Sequence, residues 1–440
     1  MTISFLTLFF GLITGSFPVE LAVNGPAAVV ELTVDDRASA KLPGPPWKAK
    51  IDFGRELAPH RIVARALDAE GKELSRTEEW ANLPHPLTKV EILLETVKGS
   101  VPRAATIVWT NLHGERPESM AMTFDGVPLK LDKTGRAELP AHDLKTIHVV
   151  NAEVRFSAVQ AAHRDVAYGG EYGSEVSTEL TGVPLRIRSG HLPAPDKLTG
   201  WLIQGGRPLA VAAVEEGPAQ LFVVRVPPTS EIAAKMGSRG LKVRSDRYNF
   251  QLGREDQIRF VHPVPQRIEG SGTLSDLFDI SPVYTARDGG LPYTLRSLGR
   301  LLIRPLTDVP AEPRIADAVA VAGLEAMTEN RRRAVLLVLS GSETQDASRY
   351  GAETVRRFLA SLRVPLYVWT LDSPAPGSLA GAWGPVAEIQ STGDVAAAVT
   401  ALRRDLDAQR IVMVDGRHLP QSIQLGPTAR NVELVSGGVP

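Results

Sequence analysis

Ala334-Val335-Leu336-Leu337-Val338-Leu339-Ser340-Gly341-Ser342-Glu343-Thr344-Gln345-Asp346-Ala347-Ser348 is an unbroken apolar run that ends in a polar, acidic loop. The run is too short for a typical helix and suits a strand buried on both faces of a parallel sheet. Working outward, Arg314 to Asn330 places Ile315, Val319, Ala322 and Ala326 at the spacing of one helix face. On the other side Ala352, Val355, Leu359 and Leu362 repeat that spacing, and Val364 to Thr370 reads as a second strand closed by Leu371-Asp372. Helix, strand, helix, strand is the βαβ grammar of a doubly wound sheet.

In order and spacing these residues resemble the von Willebrand factor type A domain, with Val364-Pro365-Leu366-Tyr367-Val368-Trp369 in the place of the family's next strand and Asp256 to Val261 in that of its second. The resemblance covers residues 217–410 and is nearest to secreted bacterial members that carry β-rich segments in front. It implies an α/β doubly wound, Rossmann-like fold. Members of that family usually bind a divalent cation through Asp-x-Ser-x-Ser after the first strand, a loop Thr, and the Asp of an Asp-Gly pair. These are hard oxygen ligands for a hard cation. Here Leu221 to Val224 is followed by Arg225-Val226-Pro227-Pro228-Thr229, so Arg225 stands in the Asp position and Pro227 in that of the first Ser. The loop Thr falls near Pro313, Ser340 replaces the Asp of Asp-Gly, and only Thr229 keeps a ligand-capable side chain. A guanidinium puts a fixed positive charge where the cation would sit. The adhesion site is therefore expected to be degenerate, with no metal and no cofactor.

Glu343, Asp346 and Asp372 fall at or beyond the carboxyl ends of adjacent strands, the rim where doubly wound sheets bind ligands. Three readings stay open for them: an unorthodox cation site, a charge-assisted bridge to Arg225, or a metal-free surface for a protein partner. The expected contact rim is Arg225, Thr229, Ser340, Ser342 and Glu343, with Asp346 and Asp372 beside it.

The rest of the chain bounds the function. At 440 residues it has length for two to four domains. Forty-nine basic residues balance fifty acidic ones, which gives no reason to expect nucleic-acid binding or electrostatic membrane attachment. The absence of cysteine removes disulfides, thiolate metal sites and cysteine nucleophiles. Ile3 to Gly15 is a short apolar segment before Ser16-Phe17-Pro18, so residues 1–16 are expected to be a secretory signal and the protein to be exported. The competing reading is a first core strand or a buried helix of the globular part, since no basic residue precedes the run. No later stretch is long and apolar enough to anchor the chain in a membrane.

Short alternating strands with turns about every ten residues follow, as in a sandwich. Pro45-Pro46-Trp47, a strand ending at Gly54, and the alternation from His60 to Asp68 resemble bacterial immunoglobulin-like modules over residues 17–84. Asn82 to Pro86 reads as a linker. A second β-sandwich-like domain spans 85–159, with Asp125-Gly126 as a hairpin turn. Residues 160–216 read as a β-rich connecting segment containing a glycine- and aromatic-rich turn at Tyr168 to Gly173. Asp394 is the expected N-cap of the last helix, and residues 411–440 a small β appendage.

Enzyme signatures fail: there is no His-Glu-x-x-His, no Gly-x-Ser-x-Gly elbow and no phosphate loop. His60, His148 and His262 lie in or beside strands, where a hydrogen-bonded structural role is expected. Arg331 to Arg333 read as cations at a helix C-terminus in preference to an anion site. The function expected is a non-catalytic exported protein that binds a protein partner or acts as a scaffold. The alternative is a glycan or cell-wall polymer binder, using exposed Trp80, Trp109 or Trp201. A third reading, catalysis by carboxylates such as Glu171 with Asp165, has no motif behind it.

Overall fold

Strands that alternate apolar with polar residues leave one face to be covered, and the N-terminal half covers such faces by pairing sheets. The computed structural model describes residues 2–7, 9, 11–84, 88–95, 101–111, 116–157, 160–169, 180–226, 253, 255–265, 278–285, 312–341, 343 and 345–436. In the first module Thr2–Phe5, Ser16–Asn24 and Lys48–Asp52 form one antiparallel sheet. It faces a second sheet of Arg37–Leu42, Val29–Val34, His60–Leu67 and Glu73–Ala81. Val30, Leu32, Ile51 and Ile62 meet, fully buried, between them. In chain order the strands lie 1-2-5 in one sheet and 4-3-6-7 in the other.

The second module repeats that connectivity. Thr88–Glu95, Ala104–Asn111 and Arg136–Glu138 oppose Val127–Pro128, Ser119–Phe124, Ile147–Ser157 and Gln160–Gly169. Asp125 at φ 48° and Gly126 at φ 80° form its two-residue turn between Phe124 and Val127, the backbone a tight hairpin requires. Both modules are immunoglobulin-like sandwiches of three plus four strands.

Two expectations are corrected here. Residues 1–16 do not stand apart from the folded chain. Thr2 to Phe5 pair with Leu21 to Asn24, and Phe9 and Ile13 are buried in the first core. Asn82, at φ 58°, closes the segment by accepting from the Ile13 N–H at 2.6 Å and donating to its carbonyl at 2.8 Å. Core burial thus accounts for the apolar run that suggested a leader. Nor are 160–216 and 411–440 a connector and an appendage. Leu180–Ile187 pairs with Gln409–Asp415 and Val432–Leu434, and Gln409–Asp415 also pairs with Val211–Glu215. Leu202–Gln204 pairs with Ile423–Leu425 and Arg207–Pro208. Gln160–Gly169 belongs to the second sandwich, whereas the strands from Leu180 to Glu215 and from Gln409 to Leu434 are the two halves of a third, built around Val183, Leu185, Leu202, Val412 and Ile423.

Between those halves the α/β unit is inserted. Its strands are β1 (Gln220–Arg225), β2 (Gln257–Val261), β3 (Tyr284–Thr285), β4 (Arg333–Leu339), β5 (Leu366–Thr370) and β6 (Ala387–Glu388). Its helices are α1 (Ile315–Glu325), α2 (Ala352–Ser361) and α3 (Thr392–Ala408). The sheet order is 3-2-1-4-5-6, parallel except for β3. The two-residue period of a strand divides the core in two. Phe222, Val224, Val335 and Leu337 face α1 and α2, whereas Leu221, Val223, Leu336 and Val338 face α3. Helix α1 is buried from Ile315 through Leu324, because its core also takes in Leu12, Leu57, Trp80 and Leu83 of the first module. A helix covered all round needs no polar face.

Helix α3 begins one turn before the expected cap. Ser391 is the N-cap and accepts from the Asp394 N–H at 3.2 Å, while the Asp394 carboxylate accepts from the Gln390 N–H at 3.0 Å and the Ser391 hydroxyl at 2.9 Å. Asp394 is thus the back-bonding member of a capping box rather than the cap.

Candidate functional site

The strand order reverses between β1 and β4, so the ligand crevice of a doubly wound sheet lies beyond Arg225 and Leu339. Both sequence-predicted residues at its floor are buried, Arg225 at 5% exposure and Ser340 at 3%. They belong to the packed interior, which corrects their placement on a contact surface. Nearby at the end of β2, burial pushes the His262 imidazole below its ordinary pKa, and the Arg225 charge pushes it the same way against the pull of Asp279.

The acidic residues of the rim are engaged with the backbone. Glu343 folds back so that one carboxylate oxygen accepts from the Ser340 N–H and the other from the Gly341 N–H at 3.0 Å. Asp346 reaches the start of α1, where one oxygen accepts from the Ile315 N–H at 2.8 Å and the Ser348 N–H at 3.0 Å, and the other from the Ala316 N–H at 3.1 Å. Ser348 donates its hydroxyl to Asp346 and accepts from the Asp317 N–H at 3.0 Å. Asp317, fully buried on α1, answers by accepting from the N–H groups of Arg349 at 2.9 Å and Tyr350 at 3.3 Å and from the Arg314 guanidinium at 2.7 Å. Loop and helix cap each other: orphan amides at the head of α1 take the acid from the loop, and the loop's amides take the acid from the helix.

Gly341 makes this turn possible. It sits at φ 97°, and a Cβ there would lie 2.7 Å from the Asp372 carbonyl oxygen. Asp372 itself is half-buried. Thr229 and Ser342 lie outside the described residues, as does Glu171 of the catalytic reading. Among the described residues no group of three or more His, Cys, Asp or Glu side chains is placed to hold a metal ion. Glu343 and Asp346 lie in the loop after β4, as the sequence order requires. The loop's chemistry is that of a closed hydrogen-bonded cap.

Other sequence-named residues have structural surroundings. His60 bonds Asp35 at 2.7 Å, and His148 bonds Asp125 at 2.7 Å, holding that carboxyl below its ordinary range. Trp80 and Trp201 are buried, and Trp109 is half-buried against Phe156 with ring centroids 5.5 Å apart. They present no aromatic platform of the kind a sugar ring stacks on.

The basic triplet departs from the helix-dipole expectation. Arg331 pairs with Glu329. Arg332 donates to the Gly217 carbonyl at 2.8 Å and to the Leu406 carbonyl at 2.9 Å, so the helix end it serves is that of α3, distant in sequence. Arg333 is buried at the base of the sheet. Sequence reasoning also missed the joint with the third sandwich, where Arg186 pairs with Asp405 and Glu433 and Tyr367 donates to Asp405. Nothing local marks these residues, since Arg186 and Glu433 are 247 positions apart.

No family model matches the chain, and no curated protein does. Solved structures similar to parts of it include the fibronectin(III)-like modules of CbhA from Clostridium thermocellum, at 15% identity and TM-score 0.16, over 38% of this chain and 93% of that one. The central fibronectin-III array of RIM-binding protein is 14% identical with TM-score 0.21, over 43% of this chain and 78% of that one. Proximal thread matrix protein 1 from the mussel byssus is 14% identical with TM-score 0.28, over 44% of this chain and 47% of that one. At these scores the likenesses bear on neither function nor the α/β unit. The sandwich description rests on the strand pairings given above.

Proposed function

We propose that this chain is a non-catalytic scaffold or protein-interaction protein in which three β-sandwich modules support a von Willebrand factor A-like domain that works without metal. The observation that carries this reading is the use made of Glu343 and Asp346. Both oxygens of each carboxylate accept backbone N–H groups, which commits these two rim acids to closing the loop. The partner is a protein, met by the outer part of the rim loop around Gln345, Ala347 and Arg349, which are exposed. The glycan-binding alternative required exposed tryptophans, and Trp80 and Trp201 are buried.

Titration calorimetry of the full chain with magnesium, manganese and calcium tests the metal-free reading. The expected result is no binding heat and no change in melting on chelation; micromolar binding by any of the three ions rejects it. Crosslinking at position 345 in cells, followed by identification of the captured protein and its loss on substitution of Arg349, tests the interaction surface. Export belongs to the same proposal and does not rest on Ile3 to Gly15, which the first core takes up; its support is the row of β-sandwich modules. Recovery of the expressed protein only in the cytosolic fraction rejects it.

A further inference from the structure

At the amino-terminal base of the parallel sheet, three polar residues stand side by side where the core would ordinarily be apolar. Gln257, Gln220 and Arg333 are register partners on β2, β1 and β4. Alternation along the strands puts all three on the side that carries Phe222 and Val335, toward α1 and α2. Gln220 is fully buried and Arg333 is 1% exposed. Among the described residues the Nε and Nη2 of Arg333, the Oε1 and Nε2 of Gln220 and the Oε1 of Gln257 are buried without a hydrogen-bond partner. The Arg333 backbone N–H is spoken for, donating to Oε1 of the equally buried Gln409 at 3.1 Å.

A buried guanidinium with no counter-charge is among the costliest arrangements a core can hold. Burial draws the Arg333 pKa down only to about 10, which leaves the group charged at neutral pH, and burial is the sole influence acting on it. Among the described residues no carboxylate supplies the balancing charge. Water would satisfy N–H donors without neutralising them. A small anion does both for the three orphan donor nitrogens, the Nε and Nη2 of Arg333 and the Nε2 of Gln220, and leaves the acceptor Oε1 atoms of Gln220 and Gln257 to a bridging water.

We infer that Arg333 and Gln220 form a buried binding site for a small monovalent anion of the chloride class at the base of the sheet. The site lies where the chain passes between the inserted unit and the third sandwich. Gln220 opens β1 shortly after the sandwich strand Val211–Glu215, and Gln409 opens the strand that returns to it. An anion here ties β1 to β4 at the root of the insertion and acts as a structural ion of the joint. This inference does not rest on the proposed interaction function, since it concerns the opposite end of the sheet.

The test is thermal melting of the full chain in sodium chloride against sodium gluconate at matched ionic strength, with chlorine-35 line broadening as a direct readout of binding. In wild type the melting temperature is expected to rise by about 3 °C for each tenfold increase in chloride above the dissociation constant. Gluconate, too large for a buried site, should have no such effect. Arg333→Met keeps the apolar stem of the side chain and removes the guanidinium and its charge. It should abolish both the chloride response and the broadening, and at low chloride it should melt no lower than wild type, because it also removes the uncompensated charge. Arg188→Met, at an exposed arginine, should leave both readouts unchanged. Equal melting of wild type in chloride and gluconate overturns the inference, and so does an undiminished chloride response in Arg333→Met. If Arg333→Met does not fold, the wild-type comparison and the line broadening still decide the question.

Discussion

Asp346→Ala is the most informative single perturbation of the rim. The carboxylate accepts the N–H groups of Ile315, Ala316 and Ser348 at 2.8, 3.1 and 3.0 Å, and so closes the amino end of α1 from a different loop. Removing an N-terminal cap costs about 1 kcal/mol and up to about 2. Hydrogen bonds to a charged acceptor contribute about 1.5–3 kcal/mol each when buried. Asp346 is half-buried, so water reaches part of the exposed amides and discounts the sum. The expected loss is about 3 kcal/mol. Asp346→Asn keeps one acceptor oxygen and loses the charge that complements the helix dipole, for a loss of about 1 kcal/mol. Urea unfolding followed by tryptophan fluorescence measures both, since Trp369 and Trp383 belong to the α/β unit, and amide exchange at residues 315–322 localises the effect. A change under about 0.5 kcal/mol for Asp346→Ala, or an Asn variant as damaged as the Ala variant, would refute the capping role.

Three further outcomes are expected. Deleting residues 1–16 removes Phe9, Leu12 and Ile13 from the cores, and at about 2 kcal/mol for each buried side chain the protein should lose about 6 kcal/mol or fail to stay soluble; a truncated protein as stable as the full chain in urea would return those residues to the role of a leader. Gly341→Ala forces a Cβ to 2.7 Å from the Asp372 carbonyl at a φ of 97°, and should lower stability by about 1–3 kcal/mol in thermal melts, with a neutral result counting against the turn. Glu433 is held below its ordinary 4.5 by hydrogen bonds from Arg186 and then Arg188, so the stability it contributes is fully present above that value and is lost as pH falls through its lower folded pKa. Melting curves from pH 7 to pH 3 should therefore show a shallower acid decline in Glu433→Gln than in wild type, and parallel declines would contradict the linkage.

Much of the local structure was legible before any coordinates. The run from Ala334 to Leu339 is buried on both faces, as an unbroken apolar strand of a parallel sheet must be. Asp125-Gly126 forms the hairpin its dihedral preferences favour. The candidate rim was placed by the same logic, because strand ends and acidic loops can be counted along a chain. What the acids do there was not legible. Glu343 bonds amides two and three positions away, yet Asp346 serves a helix 31 residues upstream, and no spacing rule distinguishes a ligand carboxylate from a capping one.

Local patterning by itself determined which stretches are strands and helices and which face of each is apolar, since those follow from periods of two and 3.6 residues. It also put Arg225 at the end of the apolar run from Leu221 to Val224. Only the tertiary structure decided how strands far apart pair. Thr181 donates to the Gly416 carbonyl across 235 residues, and that pairing turns a presumed connector and a presumed appendage into one sandwich around an inserted domain. An edge strand exposes backbone groups that any complementary strand can satisfy, so its own residues do not name the partner. The same holds for Ile3 to Gly15, whose apolarity is equally suited to a leader and to a core. Packing against Asn82 and Tyr350 gives that segment its place in the fold, through contacts its own composition could not specify.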